Sequence, residues 1–334
     1  LLQKLQARAH KDYHPSVGMC EFGTVTRSLA ASERKGEVAA LVMSQRSQDR
    51  QLGSTYTSTM YGLGLDKESR LAQYKSTYCD PWDQNNAMWL LCRGTVNPGG
   101  ASGNAAQRDR FNKDIDYART VDSEWTLNVD FTDTTLQNEE EDVLALASYL
   151  YAHDVFIRVP PAMLEAPTDG RPGSEFTDMQ EAYMDMRSIV AKRSVAENSY
   201  NAIVGMKAAG TPGSRTYLEE MLRELGITDA ADLNEYLGDP AQEGNPSYYA
   251  QMEILTKKLY QNPDFYTNLY DKPANIARKK VAMQAISLMQ KFDTFKSYLR
   301  SEASLSVLLE LAVMDLQADI ENDISEIDNT SSQN

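Results

Sequence analysis

Cysteine and histidine are scarce in this sequence, at three residues each among 334. Cys20, Cys79 and Cys92 form no C-x-x-C pair, which excludes the usual zinc-ribbon and dithiol redox motifs. With so few histidines, a Ser-His-Asp or Cys-His triad has little to draw on. No Walker, G-x-G-x-x-G or G-x-S-x-G pattern occurs. No apolar run approaches the roughly 18 residues of a membrane helix, so no transmembrane span is expected. Basic residues are outnumbered, 33 against 48, for a net charge of −15. That balance argues against a nucleic-acid partner or a charge-driven lipid surface, both of which need clustered Lys and Arg. Beyond Arg300 there is no basic residue at all.

What is present is material for a core. Hydrophobic residues make up 42% of the chain and aromatics 9%, too much for a disordered polymer. The length suits two domains at roughly 100–200 residues each. Pro160-Pro161, Pro167, Gly170 and Pro172-Gly173 predict a hinge over 160–173. It would divide a loop-rich N-terminal helical region, residues 1–159, from a helical domain over 174–328, followed by a disordered tail over 329–334. The chain opens on Leu1-Leu2 with no visible signal peptide, a start compatible with a processed export signal or with a longer product.

Apolar spacing of three and four predicts helices over 1–12, 27–51, 85–93, 138–153 and 175–209. Another is expected from Asn245 to about residue 261, and a last, longest one from Pro273. Residues 13–25 are expected to be irregular because of Pro15, Gly18 and Gly23. A helix from Asn104 would carry Phe111, Ile115 and Ala118 on one face. Only Trp125, Leu127, Val129 and Phe131 alternate with period two. The expected fold class is mainly α: a multi-helix array with an irregular, loop-rich N-terminal third and at most a minor β element.

Candidate chemistry is thin. His10 and His14 stand four apart, as in a helical metal pair, but Pro15 takes His14 off the helix. No metal or cofactor is expected. His153 ends a helix, where it would meet free carbonyls. Glu139-Glu140-Glu141-Asp142 looks reactive, yet it falls in a first helical turn, where negative charge suits the dipole. No catalytic residue is assigned. The disulfide candidates are Cys20, Cys79 and Cys92, with all three pairings open and an oxidising compartment required. An unpaired strand leaves backbone groups without partners, so Trp125, Leu127, Val129 and Phe131 are interface candidates for strand addition. The alternative is that Trp125 and Phe131 pack on an adjacent helix. Tyr248, Tyr249, Tyr266 and Tyr270 form a second candidate interface, because tyrosine joins an apolar ring to a polar tip.

Two passages carry a resemblance. One runs Tyr13-His14-Pro15-Ser16, Met19-Cys20-Glu21-Phe22-Gly23-Thr24 and Arg27-Ser28-Leu29-Ala30-Ala31. The other runs Tyr260-Gln261-Asn262-Pro263-Asp264-Phe265-Tyr266 and Asp271-Lys272-Pro273. Together they resemble exported helical accessory proteins of bacterial conjugation and type IV secretion machines, of the Dot/Icm core-complex kind. The resemblance implies a non-enzymatic structural component, periplasmic or outer-membrane-associated, whose partners are other proteins of a large assembly. Two competing expectations are a helical carboxylate-dependent enzyme acting on cell-wall polymer and a soluble secreted binding module.

Overall fold

A computed structural model describes residues 17–52, 63–94, 108–131, 137–151, 159, 161–165, 178–216, 218–219, 229–237, 245–258, 261 and 272–331. Among these residues the chain is a multi-helix array without a β-sheet. Its helices are α1 (Val17–Gln51), α2 (Leu63–Gln73), α3 (Asn138–Tyr151), α4 (Asp178–Lys207), α5 (Ala230–Leu237), α6 (Tyr248–Glu253) and α7 (Pro273–Ser331). Helices α2 and α6 each widen into a π turn, at Tyr74–Tyr78 and Ile254–Lys258, and a third π turn stands at Ala118–Asp122.

Helices α1 and α4 make the central pairing. They meet backbone to backbone at Gly36 and Gly205. A Cβ on Gly36 would run into the Gly205 carbonyl, and one on Gly205 into the Gly36 carbonyl, with Ala40 Cβ 3.0 Å away. A glycine that costs about 1 kcal/mol in an isolated helix here permits the closest approach in the fold's central pairing. Two apolar clusters lie on either side. One joins Ala39 and Met43 of α1 to Leu127, Phe131, Leu146 and Val204. The other joins Leu29 to Leu218, Leu233, Leu237, Ile254 and Ile286. Both clusters draw on residues before and after 160–173, so that segment does not divide the molecule into separate cores. Of it, residues 161–165 are described, with Pro161–Met163 as a 3-10 turn.

Several local expectations change. Helix α1 starts at Val17 and takes in Gly18 and Gly23, because extending a formed helix needs no new nucleus. Residues 83–94 are not one α-helix: Gln84, Asn85 and Asn86 have positive φ, and a 3-10 helix follows over Ala87–Gly94. The helix expected from Asn104 fails at Asn112, whose φ is 60°. That turn lets the Asn112 N–H donate to the Tyr78 carbonyl at 3.0 Å. Phe111 is then buried and Ile115 exposed. Helix α6 is capped by Ser247, whose Oγ accepts from the Ala250 N–H at 3.0 Å. Helix α7 continues through Asn329, Thr330 and Ser331, where fraying was expected. The helix expected over 1–12, His10, His14, His153, Tyr266 and Tyr270 lie outside the described residues.

Candidate functional site

The alternating segment is not a strand awaiting a neighbour. Its one ladder contact is an isolated parallel bridge between Leu127 and Ala208. Leu127, Val129 and Phe131 are buried in the chain's own core, and Trp125 is half-buried. The backbone donors of residues 127–130 are already used. Leu127 N–H donates to the Lys207 carbonyl at 2.7 Å, and Val129 N–H to the Leu127 carbonyl at 2.9 Å. Asn128 N–H donates to Glu139 Oε2 at 2.6 Å, and Asp130 N–H to the Glu140 carboxylate. The acidic first turn of α3 thus fastens an irregular segment. Strand addition is corrected to internal packing, since a donor bound inside the chain is not offered outside it.

The rest of that acidic run serves a second purpose. Asp142 is buried and accepts from Tyr78 Oη at 2.9 Å and from Arg110 at 2.6 Å, while Glu141 meets Arg110 at 3.0 Å. Burial pushes the Tyr78 hydroxyl up, and the Asp142 charge adds to it. Burial opposes the Arg110 charge, but hydrogen bonds to Asp142 and Glu141 hold the guanidinium above its ordinary value. Next to Tyr78, Cys79 is joined to Cys92 by a disulfide, with Cα atoms 5.3 Å apart. The Cys20 side chain lies outside the described residues. Farther along this shoulder, the fully buried Asp66 is held by Arg50 at 2.8 Å and Arg70 at 2.9 Å, and Arg50 also reaches Ser148. Asp114 is buried among these groups, and its Oδ1 has no hydrogen-bond partner among the described residues. Burial pushes its carboxyl up to about 6. The space beside it, about 10 Å³, holds on the order of one water molecule.

A cleft of about 290 Å³ lies between α1, α4 and α7. Glu33, Glu37, Tyr248, Asp293, Lys296 and Arg300 are among its polar lining. Lys296 Nζ stands 2.8 Å from Glu33 Oε1, 3.3 Å from Glu37 Oε1 and 3.9 Å from Asp293 Oδ1. Tyr248 donates to Asp293 Oδ2 at 2.6 Å. Burial, with the Asp293 hydrogen bond and charge, pushes the Tyr248 hydroxyl up. Tyr248 is therefore an inward strut rather than an interface anchor. Tyr249 is the exposed member of the pair, and the Lys207 ammonium lies 4.8 Å from its ring centroid. That ammonium also donates to the Val121 and Asp122 carbonyls at 2.8 and 2.7 Å. Burial lowers the Lys207 pKa.

A carboxyl poised as a general acid needs a raised pKa inside a cleft. Among the described residues, the carboxyls that burial raises are Asp114, Glu139 and Glu197. None of them lines the cleft between α1, α4 and α7. Glu139 accepts a backbone N–H, and Glu197 accepts from Ser47 Oγ at 2.7 Å. The cleft's own acids, Glu33, Glu37 and Asp293, share one lysine, Lys296. Among the described residues, no group of His, Cys, Asp and Glu is arranged to hold a metal ion.

The surface of α7 is different in kind. Ile286 is buried and Met289 half-buried against the body, but Leu288, Phe292, Phe295 and Leu299 are 69%, 57%, 53% and 48% exposed. No protein-family model, curated protein or solved structure matches this chain. The outer face of α7 is the surface that the chain itself leaves least covered. The three-and-four spacing of these side chains is visible in the sequence. Such spacing identifies an apolar face without saying what covers it. Among the described residues, no helix is long and apolar enough to cross a membrane.

Proposed function

We propose that this protein is a non-enzymatic assembly component that works through protein–protein contacts. The observation that carries the reading is the 59-residue α7, which presents large apolar side chains along a face its own body leaves open. Exposed apolar surface of this extent marks interaction sites. The Cys79–Cys92 disulfide supports an oxidising, extracytoplasmic setting, in keeping with a periplasmic or outer-membrane-associated protein. The resemblance to accessory parts of conjugation and type IV secretion machines gives the specific form of the proposal: a part of such a core complex in a bacterial envelope.

Native purification tests the reading. A tagged chain is expected to migrate in a large complex, and Phe292→Glu with Phe295→Glu is expected to release it while leaving circular dichroism unchanged. A chain that travels alone, with a hydrolytic activity abolished by Glu33→Gln or Asp293→Asn, would overturn the proposal in favour of an enzyme.

A further inference from the structure

We infer that the open face of α7 is covered by a second copy of the same helix, running antiparallel. The inference deepens the assembly reading and rests on it. Helix α7 is roughly 90 Å long at about 1.5 Å per residue. One side lies on the body through Ile286, Met289, Asp293 and Lys296. On another side Val281, Ala285, Leu288, Phe292, Phe295 and Leu299 are exposed and follow one another at intervals of four and three. That is the a/d pattern of a coiled-coil seam. The same register continues through Glu302, Ser306, Leu309, Val313, Leu316 and Ile320.

Charge chooses the direction. From Pro273 to Arg300 the helix has six basic residues and one acid, whereas from Ser301 to Ser331 it has eight acids and no base. A parallel pair sets like charge beside like along its whole length, which opposes association. An antiparallel pair sets each basic half against an acidic one.

The antiparallel pair also finds a matching register. Centred on Ser304, it lays Leu288 against Ile320, Phe292 against Leu316, Phe295 against Val313 and Leu299 against Leu309. The two polar seam positions, Glu302 and Ser306, then meet each other. Polar pairing at one layer is a known way to fix coiled-coil register. In the flanking rows, Lys291 of one copy faces Asp319 of the other, and Leu305, which is 64% exposed, meets its own counterpart at the two-fold axis. Such an interface is isologous and closes as a dimer, with the two bodies toward opposite ends of the paired helices.

The test combines mass with cross-linking, in a Cys20→Ser background that keeps the Cys79–Cys92 bridge. Sedimentation equilibrium of the full chain is expected to give a dimer. Phe292→Glu should weaken it by about 100-fold, as loss of an interface hot spot does. Under mild oxidation, Leu305→Cys should cross-link to itself and Leu288→Cys should not, while the double variant Leu288→Cys with Ile320→Cys should cross-link across the interface. Lys291→Asp should weaken the dimer several-fold, and adding Asp319→Lys to the same chain should restore it. A single-copy mass at the highest attainable concentration overturns the inference, as does efficient self-cross-linking at Leu288→Cys, which means a parallel pair. Neither result touches the native-complex experiment, so failure here and failure of the assembly reading are distinguishable.

Discussion

The α1–α4 crossing and the Cys79–Cys92 shoulder hold the same molecule together by opposite means. At the crossing, side chains are withdrawn: Gly36 and Gly205 let two backbones touch, and apolar clusters fill in around them. At the shoulder, charges are buried in mutual contact, with Asp142 on Arg110 and Asp66 on Arg50 and Arg70, beside a covalent bridge. Close-packed contact is intolerant of added volume. A buried ion pair is intolerant of losing one member, which strands the other charge. The contrast also bears on function. Buried, paired charge here marks structural bracing, whereas the surface that lacks a partner is apolar.

The largest effect should come from stranding a charge at the shoulder. Asp142→Ala is expected to cost about 3–5 kcal/mol, because it leaves Arg110 without its closest carboxylate; urea denaturation measures it. Shape is next. Gly205→Leu should destabilise by about 3 kcal/mol, although elsewhere in a helix the replacement of glycine is favourable. If Gly205→Leu proves neutral in the same assay, the close crossing is wrong. Removing the bridge with Cys79→Ser and Cys92→Ser, which stand 13 positions apart, should cost about 2–3 kcal/mol and lower the thermal midpoint. The loss should disappear when the wild type is assayed in reductant.

The smallest effect has the opposite sign. Asp114 has a folded pKa raised to about 6 against an ordinary 3.8, so the folded state holds its proton more tightly than the unfolded state does. Its contribution to stability is full below about pH 4 and is lost as pH rises to about 6. Asp114→Asn should therefore stabilise the protein at pH 7, by on the order of 1 kcal/mol. The difference between variant and wild type should shrink as the pH is lowered toward 4. Thermal unfolding of both across that range tests this buried acid.

Helices with strong local signals were legible. The 138–153 pattern corresponds to α3, the 175–209 pattern to α4, and Pro273 starts α7. Local signals state what a segment prefers, not what it meets. The period-two run at 125–131 carries a strand's alternation, but Glu139, Glu140 and Lys207 take its backbone donors first. The role of Gly36 is not legible locally because its counterpart, Gly205, lies far along the chain. The three cysteines left every pairing open, and the structure joins Cys79 to Cys92. Asp114, Lys207 and the Glu33–Lys296 pair of the cleft had no sequence signal, since single charged residues reveal nothing until the fold assembles their neighbours. The apolar face of α7 was visible, but its exposure was not.

The pairing of α1 with α4 also has a schedule. Ser32 on α1 and Thr211, just past the end of α4, stand 179 positions apart yet touch. A ribosome adds about 5–20 residues per second, so the inward face of α1 waits roughly 10–35 s for the helix that covers it. Through that interval Leu29, Ala39 and Met43, all buried in the finished protein, face solvent or whatever holds them. The contact that demands the closest fit must wait until Gly205 has been made, and α1 is the segment a chaperone would need to shield.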